Sequence, residues 1–185
     1  PHPPVAISAM SPSSGSLRFA GKRGYMPVSA NFIANWSLKT HWPTYCAGAD
    51  EGGQTADPEN WHVARSIFVN ETDAAAEKFS TAPGGSMDYY YEYLFTIFDR
   101  SDFKAPFVAN LGDDPQALTH EQVRNACVIH GSPETVARKL LALREEIGHF
   151  GTLLYAAHDW IDKARMKNSM RLMAEEVMPL VNQAL

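Results

Sequence analysis

The chain is expected to be an α/β protein in which short parallel strands alternate with helices. Three observations predict this. Short apolar runs recur at 5–10, 26–30, 61–69 and 150–156, the length of buried strands. Between them lie longer stretches with apolar residues at helical spacing. Turns rich in Ser, Gly and Asn follow the strand candidates. Such alternation implies parallel strands covered by helices, right-handed crossovers and ligands at the C-terminal strand ends. The suggestive loops at 11–16, 31–32, 70–71 and 158–159 all fall at that end.

The first run, Val5 to Met10, leads into Ser11-Pro12-Ser13-Ser14-Gly15-Ser16 and a helix carrying Leu17, Phe19 and Ala20. Pro12 suits the first turn of that helix, where a missing N–H costs little. A strand feeding a helix N-terminus through a turn of serines and a glycine offers free N–H groups, a positive dipole end and hydroxyl donors, so it can hold a phosphate. The same serines also suit a plain N-cap. A second strand spans 26–30. Helix is expected over 33–52, kinked or split at Pro43 and ended by Gly52-Gly53. The third strand follows at 61–69, then a helix at 71–79 with Thr72 as cap.

Residues 87–98 read as a packed aromatic helix, with Tyr90, Tyr91, Leu94, Ile97 and Phe98 at helical spacing. The irregular stretch at 99–118 has the length of a lid or binding loop. A short helix capped by Thr119 and a strand-like piece at 127–130 follow. Ser132, Pro133 and Glu134 then open a helix with Val136, Leu140, Leu143 and Ile147 as its stripe and Gly148 as its stop. After the strand at 150–156, Asp159 is placed to cap a last helix with Met166, Met170, Met173 and Val177 buried and Pro179 ending or kinking it.

Composition narrows the function classes. The 185 residues suffice for one domain with a real core, and we read 1–185 as that domain, with an insert at about 80–118 that covers the active site. The net charge of −5 and the lack of a Lys/Arg run argue against nucleic acid. Cys46 and Cys127 form no disulfide framework and point to a reducing, cytoplasmic setting. No apolar run has the length of a membrane span, and no stretch reads as a signal peptide. His41, His62, His130 and His149 lack ligand spacing, so no metal is expected. The chain begins Pro-His-Pro-Pro without Met, as a processed chain or a piece of a longer polypeptide would.

Three pieces carry a resemblance. They are the strand followed by Ser11-Pro12-Ser13-Ser14-Gly15 and Phe19-Ala20, the element His130-Gly131-Ser132-Pro133-Glu134-Thr135-Val136-Ala137, and Phe150-Gly-Thr-Leu-Leu-Tyr followed by a helix ending Glu176-Val177-Met178-Pro179-Leu180. In order and spacing the chain resembles the C-terminal half of bacterial-luciferase-like FMN-dependent monooxygenases, in the branch of limonene 1,2-monooxygenase-like and alkane monooxygenase-like proteins. The resemblance implies strands five to eight of a (β/α)8 TIM-type barrel.

It also implies a two-component monooxygenase that uses reduced FMN from a separate flavin reductase, with O2, on a small apolar substrate. Ser11, Ser13 and Ser16 would hold the FMN phosphate, with Ser14 and Gly15 as further donors. Asn31 would border the isoalloxazine and Phe32 the substrate. No catalytic residue is assigned; His158 is the best-placed histidine, with capping or packing as its plainer role. Half a barrel would leave two sheet edges and an apolar face open, so the N-terminal half or a second chain is expected as partner, along with homo-oligomers. Rival readings are an F420-dependent hydride-transfer enzyme on the same fold and a non-catalytic flavin-binding protein.

Overall fold

The computed structural model describes residues 3–158 and 162–185. Five strands form one sheet: β1 (Ala6–Ala9), β2 (Met26–Ser29), β3 (His62–Val69), β4 (Val128–Gly131) and β5 (Thr152–Ala156). Every pairing is parallel. β3 is the hub. Val63 faces Ser29 of β2 and Leu153 of β5, while Ser66 faces Val128 of β4 and Ala156 of β5. A residue has only two edges, so β2 and β4 share one edge of β3 and β5 takes the other. The strand-like piece near 127–130 is thus a true strand, wedged beside the C-terminal half of β3, and the sheet has five strands rather than four.

Without β4 the order β1-β2-β3-β5 is sequential and parallel, as in half of a (β/α)8 barrel. Among the described residues nothing pairs with the outer edges of β1 and β5. Those strands are also the less covered ones: Ala6, Ser8 and Leu154 are exposed, whereas the second half of β3 is buried throughout.

The helices α1 (Gly15–Arg23), α3 (His41–Gly52), α4 (Asp73–Ser80), α7 (Pro133–Ile147), α8 (Lys163–Leu172) and α9 (Met178–Ala184) flank the sheet. α7 starts and stops where its chemistry dictates. The Ser132 hydroxyl accepts from Thr135 N–H, Pro133 occupies the first position, and Gly148 leaves the helix at φ 97°. Val136, Leu140, Leu143 and Ile147 are all buried, each worth about 1.5–3 kcal/mol of apolar burial. α1 and α3 pack closely because Gly21 and Gly48 have no Cβ. A methyl on Gly21 would strike the Tyr45 carbonyl, and one on Gly48 the Arg18 carbonyl.

Several boundaries move. Pro12 lies in a turn, and α1 begins only at Gly15. The helix expected over 33–52 breaks at Lys39-Thr40, between α2 (Asn35–Leu38) and α3. Pro43 is the third residue of α3, and the break falls at its i−4 and i−3 positions, where its missing N–H and its ring disfavour a continuous helix, so the split lies one turn ahead of the proline. Pro179 does not end the last helix. A π-turn at Met173–Val177, closed by Met178 N–H to Met173 C=O, widens the helix ahead of the proline ring, and α9 continues. Asp162 caps α8 by accepting from Arg165 N–H; the expected cap Asp159 lies outside the described residues.

The segment after α4 is not loose. α5 (Ser86–Arg100) buries Met87 and Tyr91, the turn at Ala105–Phe107 buries Phe107, and α6 (His120–Cys127) opens with a capping box between Thr119 and Gln122. Burial alone would raise the Asp88 carboxyl, but the Gly84 N–H, Arg124 and His120 bring it below its ordinary value and so tie α5 to α6.

Candidate functional site at the C-terminal strand ends

All strands point the same way, so the loops after them share one rim. The loop after β1 is the serine turn. It is held from outside. Ser13, at φ 49°, gives its N–H to Thr40 Oγ1 at 2.7 Å, and the Thr40 hydroxyl donates to Ser37 C=O. The His41 ring reaches Ser11 C=O at 3.0 Å.

The protons of this chain of bonds are fixed by elimination. Trp61 Nε1–H can only donate, and Ser29 Oγ accepts it at 2.9 Å. The Ser29 hydroxyl then donates to His41 Nδ1, also at 2.9 Å, and His41 Nε2 carries the proton given to Ser11. Burial holds this neutral imidazole at a pKa of about 4, with the Ser11 bond pulling up and the Arg65 charge pushing down.

The serine side chains do not act as caps. Ser14 occupies the N-cap position without a side-chain bond to the helix. Its hydroxyl meets Ser16 Oγ at 2.9 Å, and Ser16 Oγ donates to Ser8 C=O at 3.2 Å. Among the described residues no acceptor takes the N–H of Ser14, Gly15 or Ser16. Gly15 is exposed, and a Cβ there would enter open space. The first turn of α1 has no carboxylate. Three consecutive unspent donors at a nine-residue helix start, with Gly15 exposed between a buried Ser14 and a half-buried Ser16, fit an anion.

The second cluster sits at the ends of β2, β3 and β5. Ser66 Oγ accepts from Asn31 Nδ2 at 2.8 Å and from Tyr91 OH at 3.0 Å, and its own proton goes to His158 Nε2 at 2.7 Å. Tyr90 donates to Asn31 Oδ1 and stacks on the His158 ring, centroids 4.1 Å apart. Burial lowers His158 to about 4, so it is neutral and carries its proton on Nδ1, which has no acceptor among the described residues. Burial raises Tyr91 well above its ordinary value. Asn31 therefore belongs to this cluster, whereas Phe32 does not. The Phe32 ring, half-buried, packs 5.7 Å from Phe98 and 5.9 Å from Phe107, against the apolar core.

Sequence reasoning passed over Ser66, Arg65, Ser29 and Thr40. The signal was there: an Arg-Ser pair inside the apolar run Val63 to Val69 is a buried polar group that needs partners. Arg65 spends its guanidinium on Ile33 C=O and Asn35 Oδ1, which pins the loop after β2. Beyond β3, Asn70, Glu71, Lys78, Arg165 and Asn168 line a cleft of about 640 Å³. Among the described residues no three His, Cys, Asp or Glu side chains gather as metal ligands, and no helix is long and apolar enough to cross a membrane.

No family model matches the chain. It is 34% identical over 181 residues to the 3,6-diketocamphane 1,6-monooxygenase of Pseudomonas putida, covering 97% of this chain and 47% of that protein. It is 31% identical over 180 residues to a 2,5-diketocamphane 1,2-monooxygenase of the same organism, covering 96% and 49%. Among solved structures, the oxygenating constituent of 3,6-diketocamphane monooxygenase, a type II Baeyer-Villiger enzyme in complex with FMN, superposes with a TM-score of 0.82 at 34% identity, covering 97% of this chain and 49% of that one. The chain spans about half the length of the curated relatives it matches. A parallel half-barrel with its polar residues gathered on one rim is the class these findings define. Its similarity to these monooxygenases, over about half of their length, is consistent with the luciferase-like family of flavin monooxygenases.

Proposed function

We propose that this chain supplies the phosphate side of the FMN site in a two-component monooxygenase that oxygenates a small apolar substrate. The observation that carries the reading is the row of unspent N–H donors at Ser14, Gly15 and Ser16. With the hydroxyls of Ser11, Ser13 and Ser16 beside it, the row suits a phosphate monoester. The FMN bound by the 34%-identical relative supports that ligand over F420.

Reduced FMN, when bound, supplies the activation of dioxygen. The residues of this chain do the rest of the work on their side. The serine loop anchors the phosphate. Asn31 borders the ring, held in place by Ser66 and Tyr90. Neutral His158 offers Nδ1–H as a donor at the rim, and α5 with its aromatic residues covers the strand ends and keeps water out. A flavin reductase, the other half of the barrel and a homo-oligomeric state complete the proposal, with this chain as the C-terminal half.

The test is an FMN titration of the protein carrying Ser13→Ala with Ser16→Ala. We expect binding weaker by about 2–3 kcal/mol, because hydrogen bonds to charged groups contribute about 1.5–3 kcal/mol each and these are partly redundant. A folded double variant with unchanged affinity would mean that these hydroxyls lie outside the site, and equal affinities for FMN and riboflavin in the unaltered protein would mean that the loop is only a helix start.

A further inference from the structure

We infer that Thr40 and His41, at the start of α3, are positioning residues for the anion cradle of the neighbouring strand–helix unit. The inference rests on the phosphate reading above and goes a step beyond it, to the residues that set the cradle's shape. A turn that presents three adjacent N–H groups outward must be kept from folding back on itself. Here the turn's own hydroxyls do not cap the helix. Its two outside anchors are the Ser13 N–H bond to Thr40 Oγ1 and the His41 Nε2–H bond to Ser11 C=O. Ser13 stands at φ 49°, a left-handed backbone that a serine adopts only when something holds it.

Behind His41 the proton order is determined. Trp61 gives to Ser29, Ser29 gives to His41 Nδ1, and His41 gives to Ser11. His41 is completely buried, so its ring has no water to satisfy it if this order is broken. The Ser11 carbonyl is therefore held by a ring whose tautomer is dictated from the core. The close crossing of α1 and α3 through Gly21 and Gly48 puts the start of α3 within reach of the loop.

The test compares FMN with riboflavin, the same ring system without the phosphate, on the whole polypeptide that carries this chain. In the wild type, FMN binding tighter than riboflavin reports the cradle; equal affinities would overturn the phosphate reading and this inference with it. Given that preference, Thr40→Val and His41→Phe should each raise the Kd for FMN roughly tenfold, the order of one charged hydrogen bond, while the Kd for riboflavin stays within about twofold. His41→Gln, which can accept from Ser29 and donate to Ser11, should recover most of the loss.

A purely structural role predicts that both ligands weaken together, and that result, or no change in either, would overturn the inference while leaving the phosphate reading standing. Should His41→Phe fail to fold, Thr40→Val decides the binding arm, and the ¹⁵N shifts of His41 in the wild type decide the proton order. We expect a proton on Nε2 with Nδ1 bare; the opposite tautomer overturns it.

Discussion

Two ends of the same rim spend their hydrogen bonds in opposite ways. At the tip of β1 the backbone keeps three donors unspent among the described residues, around an exposed Gly15, while outside residues hold the loop. At the tips of β3 and β5 most donors are spent on one another, His158 Nδ1–H excepted: Ser66 uses both lone pairs and its proton on Asn31, Tyr91 and His158, with Tyr91 reaching in from α5. On the proposed function the first end receives a charge, and the second holds a shape. A serine turn that were merely a cap would resemble the second end, with its N–H groups satisfied from within.

Breaking the tie to α5 should cost most. Tyr91 is completely buried and joins α5 to Ser66. Tyr91→Ala should lower unfolding stability by about 3–5 kcal/mol in urea titrations, the usual cost of emptying an aromatic site; a loss below about 1 kcal/mol would mean that α5 is a loose flap.

Acid comes next, and it sharpens the contrast because each end has its own buried histidine. His41 and His158 sit at about 4, below the ordinary 6.5. The unfolded chain takes up protons that the folded one refuses, so stability is complete above pH 6.5 and falls as pH drops toward about 4. For His41 the loss amounts to about 3 kcal/mol. His41→Gln should remove that share of the acid sensitivity measured by thermal melts across the window, and His158→Gln the other end's share. An unchanged slope in the His41 variant would contradict the burial assigned to its ring.

The smallest effect lies behind α5. Thr119→Ala removes the capping box of α6, the helix tied to α5 through Asp88 and Arg124. It should cost about 1 kcal/mol and leave the FMN-to-riboflavin preference unchanged. A shift in that preference would mean that the two ends are not independent.

What the sequence disclosed followed the range of the physics. α7 could be read from its own residues, because a cap, a first-position proline, a stripe and a stopping glycine are all local. The serine turn was equally plain as a candidate. The Trp61–Ser29–His41–Ser11 order was not, since its partners lie 32, 12 and 30 residues apart and only the pairing of β2 with β3 and the packing of α3 bring them together. His41 alone gave no sign, because a buried histidine and a surface one look the same in a string. Pro179 was legible only in part: a proline forecasts an end or a kink, and the helix does not end there but widens by one π-turn ahead of the ring and runs on. Phe32, expected beside the substrate, packs half-buried with Phe98 and Phe107, rings contributed by the segment after α4, a contact that no local pattern announces.

The glycine at position 48 has no side chain and touches no ligand, yet the crossing of α1 and α3 depends on its being bare. A helix is a stiff rod, and the one that Gly48 seats ends in the two residues gripping the serine turn. The set of the serine turn is thus anchored in the interior, and a side chain at position 48 would displace the residues that hold it without touching the turn itself.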